Sequence, residues 1–299
     1  MLFPVSGVEV NPFVPFIAAF IVSFFTSMGG VSGAFLLLPF QVSILGYTAP
    51  SVSATNQVFN IVAIPSGVYR YIREGRMLWP LTWAVIIGTL PGVFIGAWIR
   101  IEYLPNPKNF KFFVGFVLLY IGWRLLLDVA RPKNKYEDKG SPAGSVASHF
   151  VDVKMSTMKK VRFEYDGETF EFSSPIVYAL CFFVGIAGGI YGIGGGSIVA
   201  PFFVVIIGLP VYTVAGAALM GTFITSVAGV TFYQFLSQFY PDVSVAPDWS
   251  LGFLFGIGGF LGMYLGARTQ KYVPAKYIKS MLCVCVLFVA GKYLLDFIM

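Results

Sequence analysis

Glycine clusters interrupt two long apolar stretches of the chain and could bind a ligand through the backbone. One cluster ends at Gly33, and the other runs from Gly192 to Gly196. Where glycine breaks a helix, the first N–H groups of the next helix lack acceptors and lie at the positive end of the helix dipole, which suits an anion. We therefore predict that an anion is bound by Gly33 and Ala34 and by Gly194, Gly195, Gly196 and Ser197.

Close helix packing is the alternative explanation for these glycines, because a small residue lets two backbones approach each other. It suits two pairs with helical spacing elsewhere in the chain, Gly92 with Gly96 and Gly262 with Gly266. It suits the clusters less well, since each glycine in a run lowers helix stability by about 1 kcal/mol.

Uncharged polar side chains follow each glycine cluster in the next apolar segment. Asn56 and Asn60 share one helical face, and Thr222 aligns with Asn60 in the second half of the chain. Neutral donors can bind an oxyanion and still release it. We predict that these three side chains complete the site. The alternative is hydrogen bonding between helices, at about 0.6 kcal/mol for each side chain.

The apolar segments lack the residues on which most catalytic sites depend. They contain no internal Asp, Glu or His, so they offer neither a proton relay nor the groups for intramembrane hydrolysis. Cys181, Cys283 and Cys285 have no metal-binding or redox spacing and are expected to be small buried side chains. The sequence therefore predicts no enzyme, no cofactor and no metal site.

The composition places the chain in a lipid bilayer. Of its 299 residues, 57% are hydrophobic and 11% are charged, whereas soluble domains are about 25% charged. The net charge of +6 comes from basic residues between apolar segments, as in membrane-protein loops, so no nucleic-acid partner is expected. A span needs about 20 apolar residues. Six full spans are predicted, at about 50–69, 79–99, 111–130, 212–237, 249–267 and 277–298.

The chain also repeats itself. Gly30 to Gly46 aligns without a gap with Gly192 to Gly208, including a shared Pro-Phe pair. In each half a stretch too long for one span, 12–46 or 175–208, is cut by its glycine cluster, and we interpret it as a helix–break–helix hairpin that is either re-entrant or just crosses the membrane. Paired breaks of this kind point to the binding site of a transporter. The domains are then a first membrane repeat (1–130), a linker (131–174) and a second membrane repeat (175–299).

Loop charges predict the orientation of the two halves. The loop at 70–76 is basic and is expected inside, whereas the equivalent loop at 238–248 carries only acidic charges and is expected outside. With each hairpin returning to its own side, the halves are inverted copies, both termini lie outside and the linker is cytoplasmic. One loop disagrees by placing basic residues outside: Arg100, Lys108 and Lys111.

The linker contains two alternating runs that meet at Asp166-Gly167, a pair typical of a tight β-turn. We predict a small β-hairpin here. The linker is interpreted as a tether between the halves, with a regulatory module as the alternative.

The duplicated pattern resembles the TauE/SafE sulfite exporter family, also called the toluenesulfonate uptake permease family. The resemblance covers about 12–130 and 175–298. It rests on the run from Gly192 to Pro201, on Ser-Ala-Thr-Asn ending at Asn56, and on Ser-Gly-Val ending at Val68. The first half has Val31-Ser32-Gly33 where the second has three glycines.

The resemblance implies a multi-pass carrier in a prokaryotic inner membrane. Its substrate would be sulfite, a sulfonate or a related sulfur-containing anion. From the inverted repeat we predict that the anion binds between the halves, that access alternates from one side to the other, and that transport runs outward. An anion channel, and a membrane scaffold acting through the linker, are the alternative functions. A homo-oligomer is possible in each case.

Overall fold

The computed structural model describes residues 1–28, 32–73, 75, 77–130, 151–157, 159–165, 167–203, 207–209, 211–269 and 275–298. Helices dominate both halves of the chain. In the first half they are α1 (Phe13–Met28), α2 (Ala34–Ser43), α3 (Ser51–Ala63), α4 (Pro65–Arg73), α5 (Trp79–Glu102) and α6 (Pro107–Ala130). In the second half they are α7 (Ser174–Tyr191), α8 (Gly195–Phe202), α9 (Val211–Leu236), α10 (Trp249–Thr269) and α11 (Ala275–Ile298).

Six helices within the described ranges are long and apolar enough to cross a membrane: α5, α6, α7, α9, α10 and α11. The predicted all-α polytopic fold is therefore confirmed. The number of spans agrees with the prediction, but one of them is a different segment. The 18 residues of α7, which form the first half of the predicted hairpin at 175–208, are long enough to cross a membrane.

The predicted full span at 50–69 is wrong, because the segment forms two shorter helices, α3 and α4. Ile64 separates them and Pro65 begins α4. Proline has no N–H to continue the hydrogen-bond ladder, and its ring crowds the residue before it. Helix α3 is buried along nearly its whole length, so its polar side chains face protein and not lipid.

The second glycine cluster breaks a helix, as predicted. Gly192 ends α7 with φ of 82°, and Gly194 precedes α8 with φ of 79°. These backbone conformations favour glycine, which has no Cβ to clash. In the first half, α1 and α2 are separated by residues 29–33, of which 29–31 lie outside the described ranges.

In two helix pairs, α5 with α7 and α1 with α10, the helices pack side by side over several turns, and we call these four helices the frame. In each pair a Cβ on three successive glycines of one helix would crowd a backbone carbonyl of the other. In the first pair, Gly88, Gly92 and Gly96 of α5 lie against the carbonyls of Tyr178, Phe182 and Ile186 in α7. In the second pair, Gly258, Gly262 and Gly266 of α10 lie against the carbonyls of Phe16, Phe20 and Phe24 in α1. Close packing is therefore the role of the Gly92–Gly96 and Gly262–Gly266 pairs.

Helix directions follow from these contacts. The members of each frame pair run parallel, because contact positions rise together along both helices. Two helix pairs that join the halves run antiparallel. In α6 and α11, Phe112 stacks on Phe297 at 4.0 Å between ring centroids, whereas Gly122 lies beside Leu287. In α3 and α9, Asn60 lies beside Ser226 and Gln57 beside Gly229.

A short hairpin at the start of the chain was not predicted. Strands β1 (Leu2–Phe3) and β2 (Val8–Glu9) pair antiparallel, and Phe3 is fully buried. Between them, the N–H and hydroxyl of Ser6 both donate to Oδ2 of Asp248, over 3.1 and 2.8 Å. This hairpin joins the first half to the loop before α10. We call this side of the molecule the N-terminal face.

A three-stranded sheet precedes α7 at the opposite end of the frame. Its strands are β3 (Asp152–Ser156), β4 (Lys160–Tyr165) and β5 (Glu168–Ser173), in that spatial order. The predicted hairpin between β4 and β5 is confirmed, with Gly167 at φ of 78°. Asp166 lies outside the described residues, and β3 was not predicted. On the exposed surface, hydrogen bonds from Lys160 and Arg162 lower the pKa of the Glu171 carboxyl.

Arg100 resolves part of the disagreement in the loop charges. It lies in the last turn of α5 and is fully buried. Its guanidinium donates to the carbonyl of Thr48 over 2.7 Å and to that of Leu104, and lies 3.6 Å above the ring centroid of Phe110. It therefore binds loop carbonyls inside the fold and is not a free loop charge.

The cysteines follow the prediction in two cases of three. Cys181 and Cys283 are buried, but Cys285 is exposed. Cys283 contacts the carbonyl of Gly122 on α6, and a residue two positions later on a helix points away from that neighbour.

Candidate functional site

A cluster of uncharged polar side chains lies where α3 and α9 cross, between the two helix breaks. We call it the central cluster. Its members are all fully buried: Ser53, Asn56, Asn60, Thr222, Thr225 and Ser226. The cluster contains no charged side chain, so any electrostatic attraction for a ligand must come from hydrogen-bond donors and helix ends.

Asn56 connects both helix breaks through one amide group. Its Nδ2 donates to the carbonyl of Ala34, in the first turn of α2, and to that of Gly192, at the end of α7, each over 3.1 Å. Its Oδ1 accepts from Nε2 of Gln41 over 3.2 Å. Both donors of Asn56 are therefore engaged with backbone oxygens in this conformation.

Asn60 and Ser53 bind the second break in the same way. Nδ2 of Asn60 donates to the carbonyl of Ile193 over 2.8 Å and to Oγ of Ser226 over 3.3 Å. Oγ of Ser53 donates to the carbonyl of Ile190 over 2.8 Å. A helix break exposes backbone carbonyls as well as the N–H groups considered above. The break also leaves the last carbonyls of α7 without partners, and α3 satisfies them.

At the start of α8, helix α9 supplies part of the capping. The N–H of Gly195 donates to Oγ1 of Thr225 over 3.3 Å, and the hydroxyls of Ser197 and Thr222 lie 3.0 Å apart. Among the described residues, none accepts from the N–H of Gly196 or Ser197. Two backbone donors at this helix end therefore remain available to a ligand.

The glycines of the second cluster also permit close packing. A Cβ on Gly194 would lie 3.0 Å from Oγ of Ser226, and one on Gly195 would lie 2.5 Å from Cβ of Thr89. A Cβ on Gly196 would meet the carbonyl of Ala218. Both explanations offered for this cluster thus apply to it, because the same missing side chains break the helix and let α8 approach α5 and α9.

The first break lies on the other side of Asn56. The N–H of Ala34 has one long contact, 3.4 Å to Oγ of Ser32, and Gly33 lies against the hydroxyls of Ser23 and Thr26. The structure therefore brings the nine predicted site residues into one region, where all are buried except the half-buried Ser197. Their role in binding stays a prediction.

Several polar groups around the cluster were not predicted as site residues. Thr225 and Ser226 follow Thr222 at helical spacing, and this pattern in the sequence could have indicated them. Gln41 is a polar residue inside the apolar helix α2, which is a weaker indication of a site residue. The hydroxyl of Tyr191 donates to the carbonyl of Phe35 over 2.6 Å. Nothing in the sequence singles out this tyrosine, because its acceptor lies in the other half of the chain.

The fold and the buried, uncharged centre define a multi-pass membrane protein of the transporter class. A family model described as "Sulfite exporter TauE/SafE" matches residues 15–293. The chain therefore belongs to the TauE/SafE family of membrane transporters, as the sequence pattern indicated.

A relative from Bacillus subtilis (strain 168), described as "Probable membrane transporter protein YunE", is similar along nearly its whole length. It is 22% identical over 284 residues, which cover 90% of this chain and 92% of the relative. No solved structure matches the chain.

The bridge made by Asn56 can be tested by Asn56→Asp. A carboxylate would face the carbonyl oxygens of Ala34 and Gly192 with no hydrogen to donate, so we expect a loss of stability of about 3 kcal/mol or more. The measurement is the melting temperature of purified protein in detergent. Asn106→Asp is the matched control, because exposed Asn106 only accepts from the N–H of Lys108, which a carboxylate does equally well. Equal melting temperatures for the two variants would contradict the bridge.

The packing of the second break predicts different outcomes for two glycine-to-alanine changes. Gly196→Ala places a Cβ against the carbonyl of Ala218 and should lower the melting temperature and the yield of folded protein. Gly291→Ala, in α11, meets no atom within 4 Å and should be neutral or stabilising by up to about 1 kcal/mol. If Gly196→Ala is as stable as Gly291→Ala, the close approach of α8 to α9 is wrong.

Proposed function

We propose that the protein carries a small sulfur-containing anion, such as sulfite, a sulfonate or a related organosulfur anion, outward across a prokaryotic inner membrane. One observation carries the proposal: the starts of two helices meet at a buried cluster of neutral donors that has no ionised side chain. In a family of sulfite exporters, such a site suits a substrate that brings its own negative charge.

The proposed binding groups are the residues around the two breaks. The N–H groups at Gly33 and Ala34 and at Gly194, Gly195, Gly196 and Ser197 would face the anion, and those of Gly196 and Ser197 have no acceptor among the described residues. Asn56, Asn60 and Thr222 would join them. Because Asn56 and Asn60 now donate to backbone carbonyls, they would have to turn from those carbonyls to the substrate when it enters.

The proposed mechanism is alternating access between two inverted repeats, with the substrate bound between them. Support comes from the antiparallel crossings of α3 with α9 and of α6 with α11, since equivalent helices of inverted copies run in opposite directions. The repeated glycine contacts of the two frame pairs support the same arrangement.

The proposed orientation has the linker in the cytoplasm and both termini outside, because basic residues concentrate in the loops on the linker side. An inside-negative potential then drives each anionic charge outward with about 2.3 kcal/mol per 100 mV. The apolar segments hold no internal Asp, Glu or His, and export by this route needs no proton relay.

Flux through purified protein in liposomes tests this function. With sulfite inside, efflux should saturate with concentration and rise as the imposed potential becomes more negative inside. Unlabelled sulfite on the far side should accelerate exchange of labelled sulfite, which a channel does not do. Flux that requires a proton or sodium gradient at fixed potential would contradict transport driven by potential alone. Flux that shows neither saturation nor counterflow would favour the channel.

The N-terminal face offers a direct test of alternating access. There the start of α3 is joined to the loop before α10. The N–H of Ser51 donates to the carbonyl of Ser244 over 2.9 Å, and the two hydroxyl oxygens lie 2.8 Å apart. Oγ of Ser244 also donates to the carbonyl of Val5 over 2.8 Å. A carrier that opens towards this face must separate these groups.

We predict that a disulfide between Ser51→Cys and Ser244→Cys abolishes transport reversibly. The two hydroxyls are close enough for cysteines to bond with small adjustments. After oxidation and removal of the oxidant, flux of methanesulfonate, which does not cleave disulfides as sulfite does, should fall by more than about tenfold, because a locked gate prevents the cycle, and a reductant should restore it. The control disulfide joins Arg162→Cys and Glu171→Cys, which are paired across β4 and β5, and should leave flux unchanged. Full flux with a fully formed Ser51–Ser244 disulfide would contradict opening at this face.

A further inference from the structure

Ser23 of α1 has a buried hydroxyl that makes no hydrogen bond to the described residues. The residue is fully buried, and within the described part of the chain its Oγ has no hydrogen-bond partner. A serine inside a helix commonly donates to a carbonyl one turn earlier, but this one does not. An unpaired polar atom inside a protein is unfavourable and indicates a missing partner, such as a bound water or ligand.

The Ser23 hydroxyl points at the start of α2. A Cβ on Gly33 would lie 2.9 Å from Oγ of Ser23 and 3.3 Å from Oγ1 of Thr26. Only glycine leaves this space open. The hydroxyl of Thr26 is also weakly engaged, through one contact of 3.4 Å to the carbonyl of Ser23.

Backbone donors of α2 lie at the same place. Over the ranges that the structure describes, the N–H of Ala34 has only the long contact to Ser32, and the N–H of Phe35 has no acceptor. Helix α2 has ten residues, so the positive end of its dipole adds to these donors. Two hydroxyls and two N–H groups therefore meet at one buried point with few acceptors of their own.

The second half differs at the equivalent positions. The alignment of the halves, continued towards the N-terminus, places Gly185 opposite Ser23 and Gly188 opposite Thr26. A Cβ on Gly185 would meet the backbone of Thr89, and one on Gly188 would lie 2.7 Å from the carbonyl oxygen of Gly194. Backbone fills these two positions. The hydroxyl of Thr89, 3.0 Å from a Cβ on Gly195, already donates to the carbonyl of Val85 over 2.6 Å. The two hydroxyls, in addition to backbone N–H groups, are therefore a property of the first break alone.

We infer that Ser23, assisted by Thr26, is a substrate-binding residue that donates to an oxygen of an oxyanion held at the start of α2. This inference rests on the proposed function and makes it more specific, since it gives the oxyanion a position at the first break. A cluster of separate donors favours a ligand with several oxygens, such as sulfite or a sulfonate, over a halide.

The variant Ser23→Ala separates binding from folding. The removal of one hydrogen bond to an anion should raise the sulfite concentration for half-maximal thermal stabilisation, and the KM for sulfite flux, by about tenfold. Without ligand, the variant should melt at the same temperature as the wild type or higher, because it removes an unpaired buried polar atom. A purely structural serine would lower stability instead.

Ser27→Ala is the matched control on the same helix. Its hydroxyl already donates to the carbonyl of Phe24 over 3.1 Å, so sulfite affinity should not change. Methanesulfonate should behave like sulfite, and chloride should stabilise neither protein at equal ionic strength.

The outcomes are distinguishable. Equal sulfite affinity in Ser23→Ala and wild type, or weaker binding together with a lower melting temperature without ligand, overturns the assignment of Ser23 and leaves the proposed function standing. A wild-type protein that binds neither sulfite nor methanesulfonate overturns the proposed function, and the assignment falls with it.

Discussion

The hydrogen bonds of Asn56 to both helix breaks are the constraint on which the centre of this protein depends. A helix that stops inside a bilayer exposes N–H and carbonyl groups where no water can satisfy them, and each unsatisfied group is costly. Here one amide reaches the carbonyls of Ala34 and Gly192, and Asn60 and Ser53 extend the same hydrogen bonding along α3. The breaks can exist because a polar helix face lies against them.

The surrounding architecture follows from that need. A helix with so many polar side chains cannot face lipid, so α3 lies inside, enclosed by α9 and by the frame helices. The frame packs backbone to backbone through glycines such as Gly92 and Gly262. Small-residue contacts hold helices together in lipid, where burial of apolar surface gives no net gain. Arg100, buried between two loop carbonyls, contributes to the N-terminal face in a similar way by satisfying backbone groups at depth.

Sequence patterns were informative where one local rule acts alone. Apolar length located five of the six crossing helices, clustered glycine located the second break, and Asp166-Gly167 located the hairpin of the linker. They failed where two rules compete. Pro65 lies in an apolar run, where a proline can either kink a continuous helix or end it, and here α3 ends just before it. The present hydrogen bonds of Asn56 and Asn60 to carbonyls freed by the same breaks are also not evident from the sequence, because most of these acceptors lie in the other half of the chain. The partners of Arg100 and Tyr191 are distant in sequence, and no local pattern indicates them.

The competition for the amide of Asn56 connects recognition with movement in the proposed mechanism. A carbonyl oxygen carries only a partial charge, whereas an oxyanion carries a full one, and charge-assisted hydrogen bonds are roughly twice as strong as neutral ones. An anion at the breaks can therefore take the donors that now join α2 to the end of α7, and a neutral solute of the same shape cannot. The amide that would bind the substrate is then the same amide whose release from the two carbonyls frees the two halves to move. A ligand shifts a conformational equilibrium only by its difference in affinity for the two states, and here that difference has a chemical origin. Selectivity for negative charge and coupling to movement would arise from the same few hydrogen bonds, without any ionised side chain.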